Sequence, residues 1–501
     1  MLNPINNIDQ YFAQGFEGGE VGVNQIQDLM KAMSAGETTG RTLDGTITSG
    51  SSLKAESLDP TLKILTNRDK HIVFWKMIPK QKAYNTVEEF NQLVDYGSDV
   101  GISNLEGETP TFVDSQFRRE SVLVRYMGVA GEVTHPFTLT RLGGTSGQQN
   151  AMAIETYNKT QLLIRGIDKL LATGDNDLVP TEFDGVFKQH YDGVSTTLDG
   201  YSNDSSVIDA RGYRLNDERV EEAVQAVVNN NFGNVSHIMS SPIVFSNYVK
   251  EFHESKRVMV GQSGAVVGAT MGQSVNTIQT QNGAIDVAQD IFFDWGPAKT
   301  YDHATTNAKA PAAPTLTTTA TVQTDTSTKF TDGAGDYVWG VVAGNRYRES
   351  AMLILNNGVT PLTVGATEAV DLDWAHTDGA YAVTYFKVFR SPKGVTATTY
   401  ATCDYYAIFS VTAAEWAAGY DGGGAGNVRD RNRSLPNTKS ALVWDNSIDV
   451  YAFKQLAPVM KMDLAITAPS FRFMVLCYGT PVLFAPKKMS KIVNIGVTTN
   501  P

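Results

Sequence analysis

Two strand-suited stretches, Tyr84–Tyr96 and Phe112–Val133, flank a connector holding Gly97, Gly101, Gly107 and Pro110. These are turn residues, so the segment reads as one long hairpin. A two-stranded ribbon left by itself is marginal in water. The chain must therefore rest this ribbon on a larger body or on another molecule. Arg118, Arg119 and Arg125 beside Glu88, Glu89 and Glu120 form either a solvated face, the commoner case, or pairs across a boundary between subunits.

The approach to the hairpin is equally unusual. The first 55 or so residues are poor in apolar side chains and rich in Gly, Ser and Thr, ending in Thr46–Ser52. Such a segment cannot bury enough surface to fold alone, so it is a floppy tail or an extended arm that a partner orders. From Leu58 to Met77 large apolar residues crowd together (Leu62, Ile64, Leu65, Ile72, Val73, Phe74, Trp75), and Pro79–Lys82 breaks the run.

Beyond the hairpin, a helix capped by Ser146 is expected, with Ile154, Tyr157, Ile164, Ile167 and Leu171 at spacings of three, four or their multiples. Closed by Gly174, it would run roughly seven turns, about 40 Å. Asp217–Asn229 carries Val220, Ala223, Val224, Val227 and Val228 on one side. Ser241-Pro242 opens another helix as cap and first-turn proline, with Phe245, Tyr248, Val249 and Phe252 inward. Strand-like pieces at Val235–Met239, Ser274–Thr280 and Ala284–Phe293, the last after an Asn282-Gly283 turn, complete an α+β unit.

Composition changes at Lys309. Ala310–Pro314 opens a segment rich in Thr, Gly, Val and Tyr, with short β-rich runs at Tyr337–Val342, Ala351–Leu355, Ala369–Trp374, Tyr381–Arg390 and Tyr405–Val411. That spacing suggests a small sandwich, with Gly422–Gly426 as its exit linker. The remainder, Leu435–Pro501, returns to long strands around Gly479-Thr480-Pro481. Three or so structural units suit the 501 residues.

Chemistry is hard to find. The net charge of -12 recruits no polyanion, and Arg429-Asp430-Arg431-Asn432-Arg433 and Lys487-Lys488 read as solvated turns. Cys403 and Cys477, expected in different units, allow neither a disulfide framework nor a zinc spacing. None of the seven histidines forms an i, i+4 pair, and His253-Glu254 lacks the second histidine of a metalloprotease helix. Nucleophile-elbow and phosphate-loop patterns are missing. Gly264, Gly268 and Gly272 read as a mobile loop, and Asp371 and Asp373 as the wet face of a strand. No catalytic, cofactor-binding or metal residue is assigned, and no enzyme is expected. Met1–Gln10 is unlike a signal peptide and no apolar run is long enough for a membrane span, so a cytosolic product is expected.

Several segments together resemble the major capsid proteins of tailed double-stranded-DNA phages, of the Hong Kong 97 fold. They are Glu56–Lys63, Ile72–Pro79, Ala83–Glu89, Phe183–Val186, Val207–Gly212, Lys454–Pro458, Tyr478–Pro481 and Ala485–Lys488. The order of these pieces over the chain outside Lys309–Arg433 makes the match specific. Within that stretch Tyr337, Trp339, Asn345, Glu349-Ser350, Trp374 and Tyr385–Ser391 resemble an inserted immunoglobulin or fibronectin type III module.

The resemblance implies an α+β capsid fold divided as an N-terminal arm (1–79), extended loop (80–140), peripheral domain with spine helix (141–216), axial domain (217–308), inserted β-sandwich (309–434) and a return to the body (435–501). It implies a non-catalytic subunit that self-assembles, as hexamers and pentamers, into an icosahedral head shell. Portal and cement or decoration proteins are expected partners, and packaged DNA is held without sequence-specific contact. Assembly in the host cytoplasm, a place in the virion capsid, and no membrane or cofactor are expected too. Trp75, Arg118, Arg119, Arg125, Glu88 and Glu89 become candidate inter-subunit contacts. The lysine–asparagine crosslink of some members cannot be placed, and no scaffolding segment for removal is evident. Rival readings are a cellular nanocompartment shell, a β-rich adhesin or carbohydrate-binding protein, and an enzyme carrying an accessory sandwich.

Overall fold

In chain order the strands are β1 (Lys80–Lys82), β2 (Val87–Asp95), β3 (Gln116–Leu123), β4 (Arg125–Thr134), β5 (Val207–Asp209), β6 (His237–Ser240), β7 (Thr277–Thr280), β8 (Gly283–Gln289), β9 (Thr321–Thr324), β10 (Gly335–Tyr337), β11 (Trp339–Gly344), β12 (Leu353–Ile354), β13 (Leu362–Val364), β14 (Glu368–Asp373), β15 (Tyr385–Arg390), β16 (Tyr406–Thr412), β17 (Asn427–Asp430), β18 (Thr438–Trp444), β19 (Tyr451–Asp463), β20 (Ser470–Leu483) and β21 (Met489–Gly496). A computed structural model of the chain describes residues 66, 69–97, 103–139, 151–194, 206–255, 275–293, 308–316, 320–355, 361–400, 403–466 and 468–497. The N-terminal arm up to about residue 65, the Ser146 cap and the Gly264–Gly272 loop lie outside the described residues.

Two sheets build the body. In the first, β1, β19, β20 and β4 lie side by side, with β4 and β20 paired from Arg125↔Gly479 to Thr134↔Ser470. The helix Ala151–Thr173 packs on it through Leu163, Ile167 and Leu171, while Tyr157 of the expected inward face is half exposed. In the second sheet the order is β5-β21-β18-β6-β8-β7, mixing parallel and antiparallel pairs. Helices Asp217–Asn231 and Pro242–Ser255 share one apolar core with this sheet, uniting Val220, Val224 and Phe245 with Ile238, Ile285, Val443 and Ile492.

The helix ends show where local signals hold. Asn216 caps the first of the two helices, its side chain accepting from the Arg219 N–H at 3.0 Å, and Asp217 and Glu218 favour its positive end. Ser241 does not cap the second as expected. Its carbonyl takes the Val244 N–H at 3.1 Å, leaving the hydroxyl buried without a partner.

A short turn of helix, Phe74–Met77, ties the two sheets together. Phe74 is fully buried against Phe293, Trp444 and Tyr451, at ring separations of 5.8, 6.1 and 6.1 Å. Two buried carboxyls hold the open N–H groups of this turn. Asp290 Oδ2 accepts from Phe74 and Val73, at 2.8 and 3.2 Å, and Asp168 Oδ1 accepts from Trp75 at 2.6 Å. Burial, then the neighbouring charge of Asp290 and a hydrogen bond with it, push Asp168 up to about 8. Asp168 Oδ2 is buried without a donor, which likewise favours the neutral form of Asp168.

Between β8 and β18 lies the two-layer β unit. A four-stranded sheet (β12-β11-β15-β16) faces a three-stranded one (β17-β14-β9) across a core of Trp339, Val341, Phe386, Val388, Val370, Leu372, Trp374 and Val428. The back of β11 is covered as well, Val338 and Val342 packing with Phe389, Val395 and Tyr405. Gly422–Gly426, expected as an exit linker, instead lies inside this unit. It forms the turn before β17, with Gly423 N–H on Tyr420 O at 3.1 Å and Asn427 N–H on Gly424 O at 2.8 Å.

Candidate inter-subunit surfaces

The ribbon is built from β2 and β3, antiparallel from Val87↔Leu123 to Asp95↔Gln116, and these two strands form a sheet of their own. The expected single strand Phe112–Val133 is therefore divided. At buried Val124, whose N–H reaches Thr86 O at 2.8 Å, the chain leaves the ribbon, and β4 joins the body sheet. The ribbon's outer part is open to water, with Phe112 94% and Phe117 73% exposed.

The six candidate contacts sort by depth. Arg118 and Arg119 stand out on the ribbon, Arg118 paired with Glu120 and Arg119 with Glu89 at 3.5 Å. Both are exposed pairs of the kind that contribute little to a folded chain. Arg125, half buried at the ribbon's base, donates to Asn176 Oδ1.

Two of the six turn inward. Trp75 is inside the chain, 7% exposed, with its ring edge-on to Phe453 at 4.8 Å and Lys80 Nζ 4.6 Å over it. Glu88 is also spent internally. It accepts from the Tyr84 and Asn85 N–H groups at 2.8 and 3.0 Å and pairs with Lys454 at 2.9 Å. Burial works to raise its carboxyl, but Lys454 and the two N–H donors outweigh that and hold it below the usual range. Glu88 thus fastens the ribbon's root, joined by Gln92 Nε2 on Phe484 O at 2.7 Å and by Phe90 edge-on to Phe484 at 5.0 Å.

Sequence reasoning missed the main electrostatic structure altogether. Arg429, Arg431 and Arg433, expected in solvated turns, interleave with Asp371, Asp325 and Asp421. Arg429 grips Asp371 through Nε and Nη2 at 2.6 and 2.9 Å. Arg431 meets Asp325 at 2.8 Å and Asp421 at 2.5 Å, and Arg433 meets Asp421 at 2.9 Å. Asp371, expected to be wet, is 8% exposed. Beneath the ladder Arg390 is fully buried, bound to Asp430 at 2.7 Å and Asn432 at 2.6 Å, with the Phe330 and Tyr337 rings 5.3 and 5.1 Å away. Alternating Arg and Asp at 429–431 on a strand was the available signal.

The β unit is also clamped to the body where it exits. Asn494 of β21 donates to Asp209 and to Arg433 O, each at 2.7 Å, and accepts from Leu435 N–H at 2.9 Å. Arg211 reaches back to Asn432 O at 3.0 Å and to Lys329 O, and Lys329 pairs with Asp209 at 3.1 Å.

Among the described residues no group of three or more His, Cys, Asp or Glu could hold a metal ion, and no helix is long and apolar enough to cross a membrane. Cys403 and Cys477 are free thiols in different units, both pushed up by burial, Cys477 to about 11. His190 is buried with Nε2 3.0 Å from Met489 O.

No family model matches the chain. It is 25% identical to the major capsid protein of Staphylococcus phage K across 98% of both chains, and equally so to that of Staphylococcus phage S25-3. Among solved structures, the capsid of an empty GTA particle aligns over 91% of this chain and 99% of its own, with 7% identity and a TM-score of 0.44. Similarity along nearly its whole length to proteins named for this role places the chain with the major capsid proteins of tailed phages, as a structural, shell-forming component of the virion head.

Proposed function

We propose that the chain closes its shell by draping the β2–β3 ribbon over an adjacent copy, with the part of the N-terminal arm (1–79) that precedes the buried Ile72–Ile78 turn acting likewise. The observation that carries this reading is the ribbon itself: a two-stranded element with Phe112 and Phe117 bare to solvent. Its apolar side chains find burial in a neighbour, and Arg118, Arg119 and Glu89 then face charges of that neighbour. Obligate contacts of this kind often exceed about 2,000 Å².

In the Hong Kong 97 plan, 80–140 is the extended loop and 141–216, with the helix Ala151–Thr173, the peripheral domain. Residues 217–308 are then the axial domain, 309–434 an inserted immunoglobulin or fibronectin type III module on the outer face, and 435–501 the return to the body. The subunit has no catalytic role. Hexamers and pentamers form in the host cytoplasm around DNA held without sequence-specific contact, with a portal and decoration proteins as further partners.

Electron microscopy of the expressed protein tests the reading. Closed shells of uniform size are expected from the full chain, and a folded body without closed shells after deletion of residues 98–113. Normal shells from that deletion would refute a role for the outer end of the ribbon. A full-length protein that stays monomeric at every concentration would refute the mechanism as a whole.

A further inference from the structure

The two carboxyls at the Phe74–Met77 turn are unequally supplied with donors. Asp290, just past β8, has three backbone N–H groups: Val73 and Phe74 on Oδ2 at 3.2 and 2.8 Å, and Phe292 on Oδ1 at 2.7 Å. Asp168, in the helix Ala151–Thr173, has the Trp75 N–H on Oδ1 at 2.6 Å, while its Oδ2 is buried without a partner. Both residues are fully buried and their side chains are in contact. A proton on Asp168 Oδ2 would turn that orphan acceptor into a donor and satisfy it at Asp290.

The cations and the hydroxyl of the neighbouring elements are engaged elsewhere. Lys76 of the turn acts on Asp168, but its ammonium lies 2.7 Å from Asp69 on the exposed side. Lys80 of β1 donates to Trp75 O at 3.0 Å, and Tyr451 of β19 donates to Leu171 O at 3.4 Å. The two carboxyls also come from different layers. Asp168 is on the helix that packs on the first sheet, Asp290 follows a strand of the second, and both grip the one turn. Repulsion between two charged carboxylates would therefore act across the seam of the body, each drawing its own N–H groups away from the other's.

We propose that Asp168 and Asp290 form a proton-operated clasp between the two body sheets: a proton on Asp168 Oδ2, donated to Asp290, closes the seam on the Phe74–Met77 turn, and its loss to solvent loosens that seam. The clasp belongs to the folded chain itself and does not depend on the shell reading. Burial, then Asp290, push the Asp168 carboxyl up to about 8 from an ordinary 3.8. The clasp is therefore tightest below about pH 4 and slackens as pH rises towards about 8. Opening is favoured by up to about tenfold per pH unit for one proton.

Hydrogen exchange of the full-length chain, read by mass spectrometry on peptides covering residues 72–78 and 290–293, tests the clasp. After correction for base-catalysed exchange, opening at these amides should rise by up to about tenfold per pH unit between about pH 5 and pH 8 and then level off. The paired amides of β4 and β20 should change little over the same range. Asp168→Asn, with an amide donor in place of the acid proton, should hold the seam amides equally closed at every pH. Asp168→Ser, which lacks the carboxyl, should also abolish the rise, so the test survives if the first variant fails to fold. Glu182→Gln is the control. Glu182 is pushed up to about 7, first by burial, but it faces Lys169, Asp175 and Lys387, and the wild-type rise should persist without it. Seam amides indifferent to pH in the wild type would overturn the clasp. A rise that survives the Asp168 substitutions, or one that disappears in Glu182→Gln, would overturn it too, and each of these results leaves the shell reading standing.

Discussion

The ribbon and the two-layer β unit are both β-structure rich in Arg and acidic residues, yet they settle their side chains in opposite ways. In the β unit, Arg390 is fully buried against Asp430, and Arg429, Arg431 and Arg433 each find an aspartate of the same unit. On the ribbon, Arg119 and Glu89 meet loosely at 3.5 Å with both side chains more than half exposed, and Phe112 covers nothing. A second layer makes the difference. Two sheets give each other a dry face in which charges must be paired to be tolerated; a lone ribbon has no dry face until a partner supplies one. One region is complete as a single chain, and the other leaves large apolar side chains in water.

The largest effect should come from opening the closed region. Arg390→Ala leaves Asp430 buried with only the Trp339 Nε1 donor at 2.9 Å and the Asn432 N–H at 2.8 Å. Loss of one partner of a buried pair costs about 3–5 kcal/mol. Chemical denaturation of the full chain should show the β unit unfolding earlier; an unchanged transition would mean that Arg390 is not holding it.

A second effect tests the foundation from which the ribbon springs. Asp168 binds its proton more tightly in the folded protein than at the ordinary carboxylate value of 3.8. Its contribution to stability is therefore complete below about pH 4 and declines as pH rises towards about 8, by at most about 1.4 kcal/mol per pH unit for one proton. Asp168→Asn supplies an amide donor towards Asp290 while keeping an acceptor for the Trp75 N–H. Thermal melts across that window should show the wild-type slope flattened in the variant. A slope that survives the substitution would mean that Asp168 is not its source.

Smaller effects sharpen the contrast. Arg429→Ala should destabilise the β unit by about 1 kcal/mol, the scale of a partly exposed charged hydrogen-bond pair. Arg119→Ala, on the ribbon, should change the monomer by less than about 0.5 kcal/mol. If the ribbon variant proved the more costly of the two, the division between a closed and an open region would fail.

Much of this plan was legible in the sequence where the signal is local. Gly97, Gly107 and Pro110 marked the turn of the ribbon, and Val220, Ala223, Val224 and Val227 the buried face of their helix. The segments quoted in order from Glu56 to Lys488 pointed to the capsid proteins that the full-length similarity bears out. The sites were less legible. Nothing local distinguishes Trp75, buried under Phe453, from Phe112, which is bare.

What the sequence determined by itself was periodicity, turn chemistry and the incapacity of a two-stranded ribbon to stand alone. Only the tertiary structure decided which charges are neutralised. Arg431 and Asp325 are 106 residues apart in the chain, and Asp168 and Asp290 come from a helix of one layer and a strand end of another. Strand and helix periods dictate which way a side chain points. Which partner awaits it depends on how separate layers pack, and that is settled by the burial of the whole chain rather than by any neighbour in sequence.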